Sequence, residues 1–173
     1  MPNGIETLYH YKNYLFIGSN TGVIILDNSD PAAPVYTASF IHLQSCDPVV
    51  VENNYAYATL RGGTGCRSNI NQLDVIDISN IEKPRLVNTI PMLEPRGLSI
   101  SNSRLFVCDR DWLKSYDAFD ANNLIALGKF KLRGCFDIIP DQNKLIVSHS
   151  SGISQYDTSS IPIAFMSKIA VLP

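Results

Sequence analysis

Leu73-Asp74-Val75-Ile76-Asp77-Ile78-Ser79-Asn80 is a short apolar run closed by an aspartate and small polar residues, and it recurs along the chain. Gly22-Val23-Ile24-Ile25-Leu26-Asp27-Asn28-Ser29 precedes it. Leu113-Lys114-Ser115-Tyr116-Asp117 and Ile153-Ser154-Gln155-Tyr156-Asp157 follow. The anchoring aspartates, Asp27, Asp77, Asp117 and Asp157, lie 50, 40 and 40 residues apart. The first interval falls to about 40 if the Gly-rich stretch from Arg61 to Asn71 is an insertion of roughly ten residues. A second column keeps the same phase: Tyr14-Leu15-Phe16-Ile17, Tyr55-Ala56-Tyr57-Ala58, Arg104-Leu105-Phe106-Val107 and Lys144-Leu145-Ile146-Val147. Two columns in phase at a period near ~40 residues imply a propeller or a solenoid.

Each repeat reads as four short strands. In the third copy they fall near Gly97–Ser101, Arg104–Cys108, Leu113–Ala118 and Leu124–Leu132. Asn53-Asn54 and Asn102-Ser103 have tight-turn chemistry, and Val, Ile, Tyr and Phe concentrate between such links. No stretch sustains a 3.6-residue apolar period with caps, so helix is expected to be nearly absent. Four strands in each repeat of about 40 residues make a propeller blade. A leucine-rich or helical solenoid needs a shorter repeat or helices. An immunoglobulin-like sandwich has no reason to repeat in this way. The expected fold is all-β: a β-propeller of four-stranded antiparallel blades, forming a single region over 1–173, with blades near 4–43, 46–92, 95–132 and 135–172.

Composition narrows the function classes. The 173 residues are 45% apolar and 17% charged, which argues against disorder. Fourteen basic and sixteen acidic residues give a net charge of −2. That leaves no basic excess for a nucleic-acid backbone or an anionic membrane. No apolar run approaches the length of a transmembrane helix. Met1-Pro2-Asn3-Gly4 carries no leader pattern. Neither end reads as a natural tail, so the expectation is a longer protein whose other blades precede Met1. A closed four-bladed ring and a ring shared by two chains are the alternatives.

The repeated aspartates have a structural explanation. Asp, Asn and Ser side chains accept from backbone N–H groups two residues on and close turns. Asp27-Asn28-Ser29-Asp30-Pro31 and Asp77-Ile78-Ser79-Asn80 stand where a third strand should end. The reading favoured is therefore turn closure rather than catalysis.

The run from Leu73 to Asn80, with Pro84 after it, resembles the LVIVD repeat of bacterial and archaeal surface or secreted proteins. The resemblance is close in the second copy and good in the first. The third and fourth copies are degenerate. It implies a propeller in an exported or cell-surface context, sometimes as a lipoprotein. It implies no defined activity, so no catalytic residues carry over.

Alternating strand direction places the loop entering each blade and the loop after its second strand on one face, the top. Cys46, Cys66, Cys108 and Cys135 all map there. An even number of cysteines in an exported chain suggests disulfides. Cys46 with Cys66 is the preferred pair, because the flexible Gly-rich loop can bring Cys66 back. Cys108 with Cys135 is the less favoured pair, because strand direction should hold them apart. Close CxxC pairs, the mark of a zinc site, are lacking, and no metal or other cofactor is expected.

The same face gathers the candidate ligand-binding residues: Asp47, Arg61, Gly62, Gly63, Arg67, Arg96, Asp109, Arg110, Asp111, Trp112, Asp137 and His149. Convergent loop charges on a rigid scaffold are where binding usually resides. The glycines resemble a phosphate loop only superficially, since no Gly-Lys-Ser/Thr ending follows. The function expected is noncatalytic binding of a protein or glycan, without nucleic acid. A hydrolase or lyase at a channel mouth and a purely structural scaffold are the alternatives.

Overall fold

Sixteen strands and no helix make up the described part of the chain. The computed structural model describes residues 4–41, 48–63, 69–159 and, as backbone, 164–170. The first sheet contains β1 (Ile5–Tyr11), β2 (Tyr14–Ser19), β3 (Gly22–Asp27) and β4 (Val35–Ile41). The second contains β5 (Val49–Glu52), β6 (Tyr55–Leu60), β7 (Gln72–Asp77) and β8 (Arg85–Pro91). The third contains β9 (Pro95–Ser101), β10 (Arg104–Asp109), β11 (Trp112–Asp117) and β12 (Ile125–Lys131). The fourth contains β13 (Cys135–Asp141), β14 (Lys144–His149), β15 (Gly152–Asp157) and β16 (Ala164–Ala170). Every sheet pairs its strands antiparallel in chain order, which is the up-and-down pattern of a propeller blade.

The repeat is held by local bonds that recur at fixed places. The Asp27, Asp77, Asp117 and Asp157 carboxylates accept the N–H of Ser29, Ser79, Phe119 and Ser159 at 2.8–2.9 Å. The residue after each aspartate donates its N–H across to the first hairpin turn: Asn28 to Asn13, Ile78 to Asn54, Ala118 to Ser103 and Thr158 to Asn143. A second turn follows in three repeats, where Asp30, Asn80 and Asp120 accept from Ala32, Glu82 and Asn122. These aspartates are turn formers, as their residue type and place at the strand end implied.

Each outermost strand carries an extra residue opposite its neighbour, and β16 carries a second at Ile169. Thr37, Val87, Leu127 and Met166 are skipped in the pairing with β3, β7, β11 and β15. Such bulges increase local twist and blunt an exposed edge.

The chain divides into two compact units, Met1–Glu94 and Pro95–Pro173. In the first unit, Phe16, Val23, Ile25 and Ala38 of the first sheet form one buried cluster with Val49, Val51, Ala56 and Ile76 of the second. In the second unit, Phe106, Cys108 and Leu113 of the third sheet cluster with Cys135, Ile138, Leu145, Val147 and Tyr156 of the fourth. The innermost strands of that unit approach so closely that only glycine fits between them. A Cβ on Gly97 would stand 2.3 Å from Asp137 Oδ1 and 2.6 Å from Asp137 Cα.

Candidate functional site

Within the second unit, the β10–β11 turn, the β12–β13 connection and the β14–β15 turn share one end of the two sheets. The chain there is tied down from both sides. Asp111 accepts the Leu132 N–H on its backbone carbonyl at 2.8 Å, and the Gly134 N–H on Oδ1 at 2.9 Å. From the fourth sheet, Ser150 donates its hydroxyl to the Arg133 carbonyl at 2.8 Å and its N–H to the Gly134 carbonyl at 3.0 Å. Gly134 adopts φ +61°, in the region that favours glycine, and so turns the chain between these two anchors.

A disulfide joins Cys108 to Cys135, with their Cα atoms 5.2 Å apart, and both residues are fully buried. This corrects the expectation that strand direction keeps them apart. Both stand at irregularities in the pairing. The register of β10 against β9 shifts between Val107 and Asp109, and that of β13 against β14 shifts between Cys135 and Asp137. A bulge re-aims a side chain, and here two of them bring the sulfurs together. The preferred pair, Cys46 with Cys66, lies outside the described residues, as do Asp47 and Arg67.

The other candidate residues divide by what they touch. Asp109 is fully buried, and its carboxylate meets Lys114 Nζ at 2.6 Å. Burial, reinforced by the charge of Asp109, pushes the Tyr116 phenol up to about 12. Trp112 is half-buried, with Lys129 Nζ 4.5 Å from its ring centroid. His149 Nδ1 accepts the Ser151 N–H at 3.2 Å, leaving Nε2 to donate to Ser154 Oγ at 2.8 Å. Asp137 accepts the N–H of Ile138 at 2.9 Å.

Arg110, Arg133 and Phe136, with Asp137 and Ser150, face solvent on the tied frame. Arg110, at φ +58°, and Arg133 are exposed, and Phe136 is 45% exposed. The Arg96 guanidinium lies 5.0 Å from the Phe136 ring centroid, a cation–π contact. Arg133 was not singled out in the sequence. It sits two residues before a cysteine in an apparent linker, and nothing local marks it as part of the platform.

Arg61, Gly62 and Gly63 belong to the first unit. Gly62 donates its N–H to Asn71 Oδ1 at 3.1 Å, and Gly63 is exposed with nothing near its Cβ position. Among the described residues, no group of three or more His, Cys, Asp or Glu side chains could hold a metal ion. No described helix is long and apolar enough to cross a membrane.

The profile of the LVIVD repeat matches residues 9–41 and 67–90. No curated protein sequence matches the chain. Among solved structures, the periplasmic gluconolactonase PpgL of Pseudomonas aeruginosa aligns over 95% of this chain and 53% of its own, at 14% identity and TM-score 0.72. Apo AztD from Citrobacter koseri aligns over 99% of this chain and 48% of its own, at 14% identity and TM-score 0.64. The computationally designed Ika4 protein aligns over 91% and 95%, at 12% identity and TM-score 0.62. Similarity at these identities shows fold alone. The chain spans about half the length of the gluconolactonase and of AztD. From its sheets, its repeats and these matches, the chain is a β-propeller carrying LVIVD repeats in its first two sheets.

Proposed function

We propose that this propeller is a noncatalytic binding module of an exported or cell-surface protein. It takes a protein or glycan through the loops that carry Arg96, Arg110, Asp111, Trp112 and Phe136. The observation that carries this reading is the tied platform of the second unit. There the disulfide and the Asp111 and Ser150 bonds fix the backbone beneath exposed arginines and an exposed aromatic ring. Arginine and aromatic side chains held on a rigid surface dominate binding energy in known interfaces.

Two of the acidic groups at this end already hold protein partners, which favours binding over hydrolysis. Asp109 is spent on Lys114 and Asp111 on the Gly134 N–H. The disulfide supports an oxidising compartment, and similarity to a periplasmic protein is in keeping with that. The loop that carries Arg61, Gly62 and Gly63 is a second candidate surface, in the first unit.

The test is a glycan and peptide array probed with the oxidised chain, repeated with Arg110→Ala and Phe136→Ala together. The reading expects a defined ligand whose binding falls at least about tenfold in the double variant, the loss of roughly 1.4 kcal/mol. Undiminished binding by the folded double variant, or turnover of the ligand, would overturn it.

A further inference from the structure

We propose a second, separate site in the second unit, at the opposite end of its sheets, which binds a small oxyanion: a carboxylate or a phosphate. A pocket of about 230 Å³ opens there between the β9–β10, β13–β14 and β15–β16 turns. Arg104 and Lys144 supply two cations, and Ser101, Asn102, Gln142 and Asn143 surround them with hydroxyl and amide groups. Phe106 and Leu145, both buried, form its floor.

The contrast with the first unit carries the argument. A pocket occupies the same place in the repeat there, lined by Tyr11, Lys12, Tyr14, Phe16, Asn53, Asn54, Ile78, Ser79 and Ile81. Phe16 and Phe106 are equivalent, but Tyr14 stands where Arg104 stands. Tyr55 stands at the position of Lys144, and Ile78 at that of Thr158. The fold therefore does not need a cation at either position. The cation of that pocket, Lys12, stands instead on the first hairpin turn, with Nζ 5.0 Å from the Tyr11 ring centroid.

Arg104 is also held in place. Its guanidinium donates to the Thr158 carbonyl from across the pocket, which fixes one nitrogen and leaves further donors on the fork. Among the described residues, no carboxylate lines the pocket. The nearest in register are Asp117, opposite Arg104, and Asp141 and Asp157, opposite Lys144; of these, Asp117 and Asp157 accept the N–H groups of Phe119 and Ser159. Two cations, one of them fixed, among neutral donors suit an anion of two or more oxygens.

Isothermal titration of the full chain with inorganic phosphate and, separately, with glucuronate at constant ionic strength tests the site. Saturable one-site binding in the millimolar range is expected for at least one of them. Phosphate alone would assign a phosphoryl ligand, and glucuronate alone a carboxylate. Lys144→Gln, at an exposed position, should weaken binding about tenfold, as loss of one charge-assisted bond implies. Arg104→Tyr, which installs the first unit's residue, should abolish binding while the chain keeps its circular dichroism and melting behaviour. Lys129→Gln, on the outer strand, should leave binding unchanged. No saturable binding of either anion, or an equal loss in Lys129→Gln, overturns the proposal.

Discussion

Removing the Cys108–Cys135 bridge should weaken the second unit more than any single contact in it. The perturbation is Cys108→Ala with Cys135→Ala, which leaves no odd thiol and keeps both Cβ atoms in the core. The bridge spans 27 residues of sequence. Closing a loop of that size removes about 12 cal/mol/K from the unfolded chain, or about 3.5 kcal/mol at 25 °C. Both residues are completely buried, so the lost sulfurs also leave unfilled space, which adds to the effect. The assay is urea unfolding of the oxidised parent and the double variant, followed by fluorescence of Trp112, the one tryptophan, which lies in this unit. With a slope near 2 kcal/mol/M, the midpoint should fall by roughly 1.7 M. A midpoint within about 0.3 M of the parent would refute the reasoning. It would mean that the ends of β10 and β13 are restrained as well without the bond. An unchanged slope is needed for the comparison, because a change there signals altered unfolded-state compactness.

Three other outcomes are expected. Gly97→Ala should lower stability by about 1–3 kcal/mol or prevent folding, because its Cβ collides with backbone of β13. Gly128→Ala, with open space around its Cβ position, should be close to neutral, and thermal melts of the two distinguish the cases. The bonds from Ser79, backbone first, and then from Arg85 hold the Asp77 carboxyl below its usual range. Its contribution is therefore fully present above the unfolded pKa and is lost as pH falls through the folded one. Urea midpoints taken below about pH 4 should drop more steeply for the parent than for Asp77→Asn, and parallel curves would contradict this. Tyr116, pushed up to about 12, should ionise after the exposed tyrosines in an ultraviolet alkaline titration. Tyr116→Phe should remove part of that late component. Because the folded phenol resists ionisation, stability should decline as pH rises above about 10, the unfolded value.

The features legible in the sequence were those made by neighbours along the chain. Asp27, Asp77, Asp117 and Asp157 bond two residues away, so their role follows from residue type and position alone. The hairpin turns at Asn53 and Asn102 adopt the positive φ that asparagine tolerates, and they too could be read locally. Gln142 and Lys12 occupy the same turn position without advertising it. What escaped depends on bulges and on packing between successive sheets. Strand direction alone argued against Cys108 meeting Cys135, and only the two register shifts reverse that result. Asp109 had the look of a surface loop charge. Its burial against Lys114, five residues on, follows from where β11 returns. Arg104 lay in plain view in a repeat column as the odd member beside Tyr14. Its meaning appears only when the fourth sheet supplies Lys144 and Thr158.

The skipped residues Thr37, Val87, Leu127 and Met166 bear on behaviour at high concentration. The outer strands leave a row of peptide groups unpaired, and a strand from another molecule could extend the sheet there. An incoming partner would follow β4, β8 or β12 for two residues from one end, or four from the other, before the bulge throws its ladder out of step. Past that point its side chains would face the wrong way and its hydrogen bonds would miss. A stack of such molecules cannot propagate a straight, in-register fibre. The extra residues Thr37, Val87 and Leu127 thereby guard the outer edges of the first three sheets.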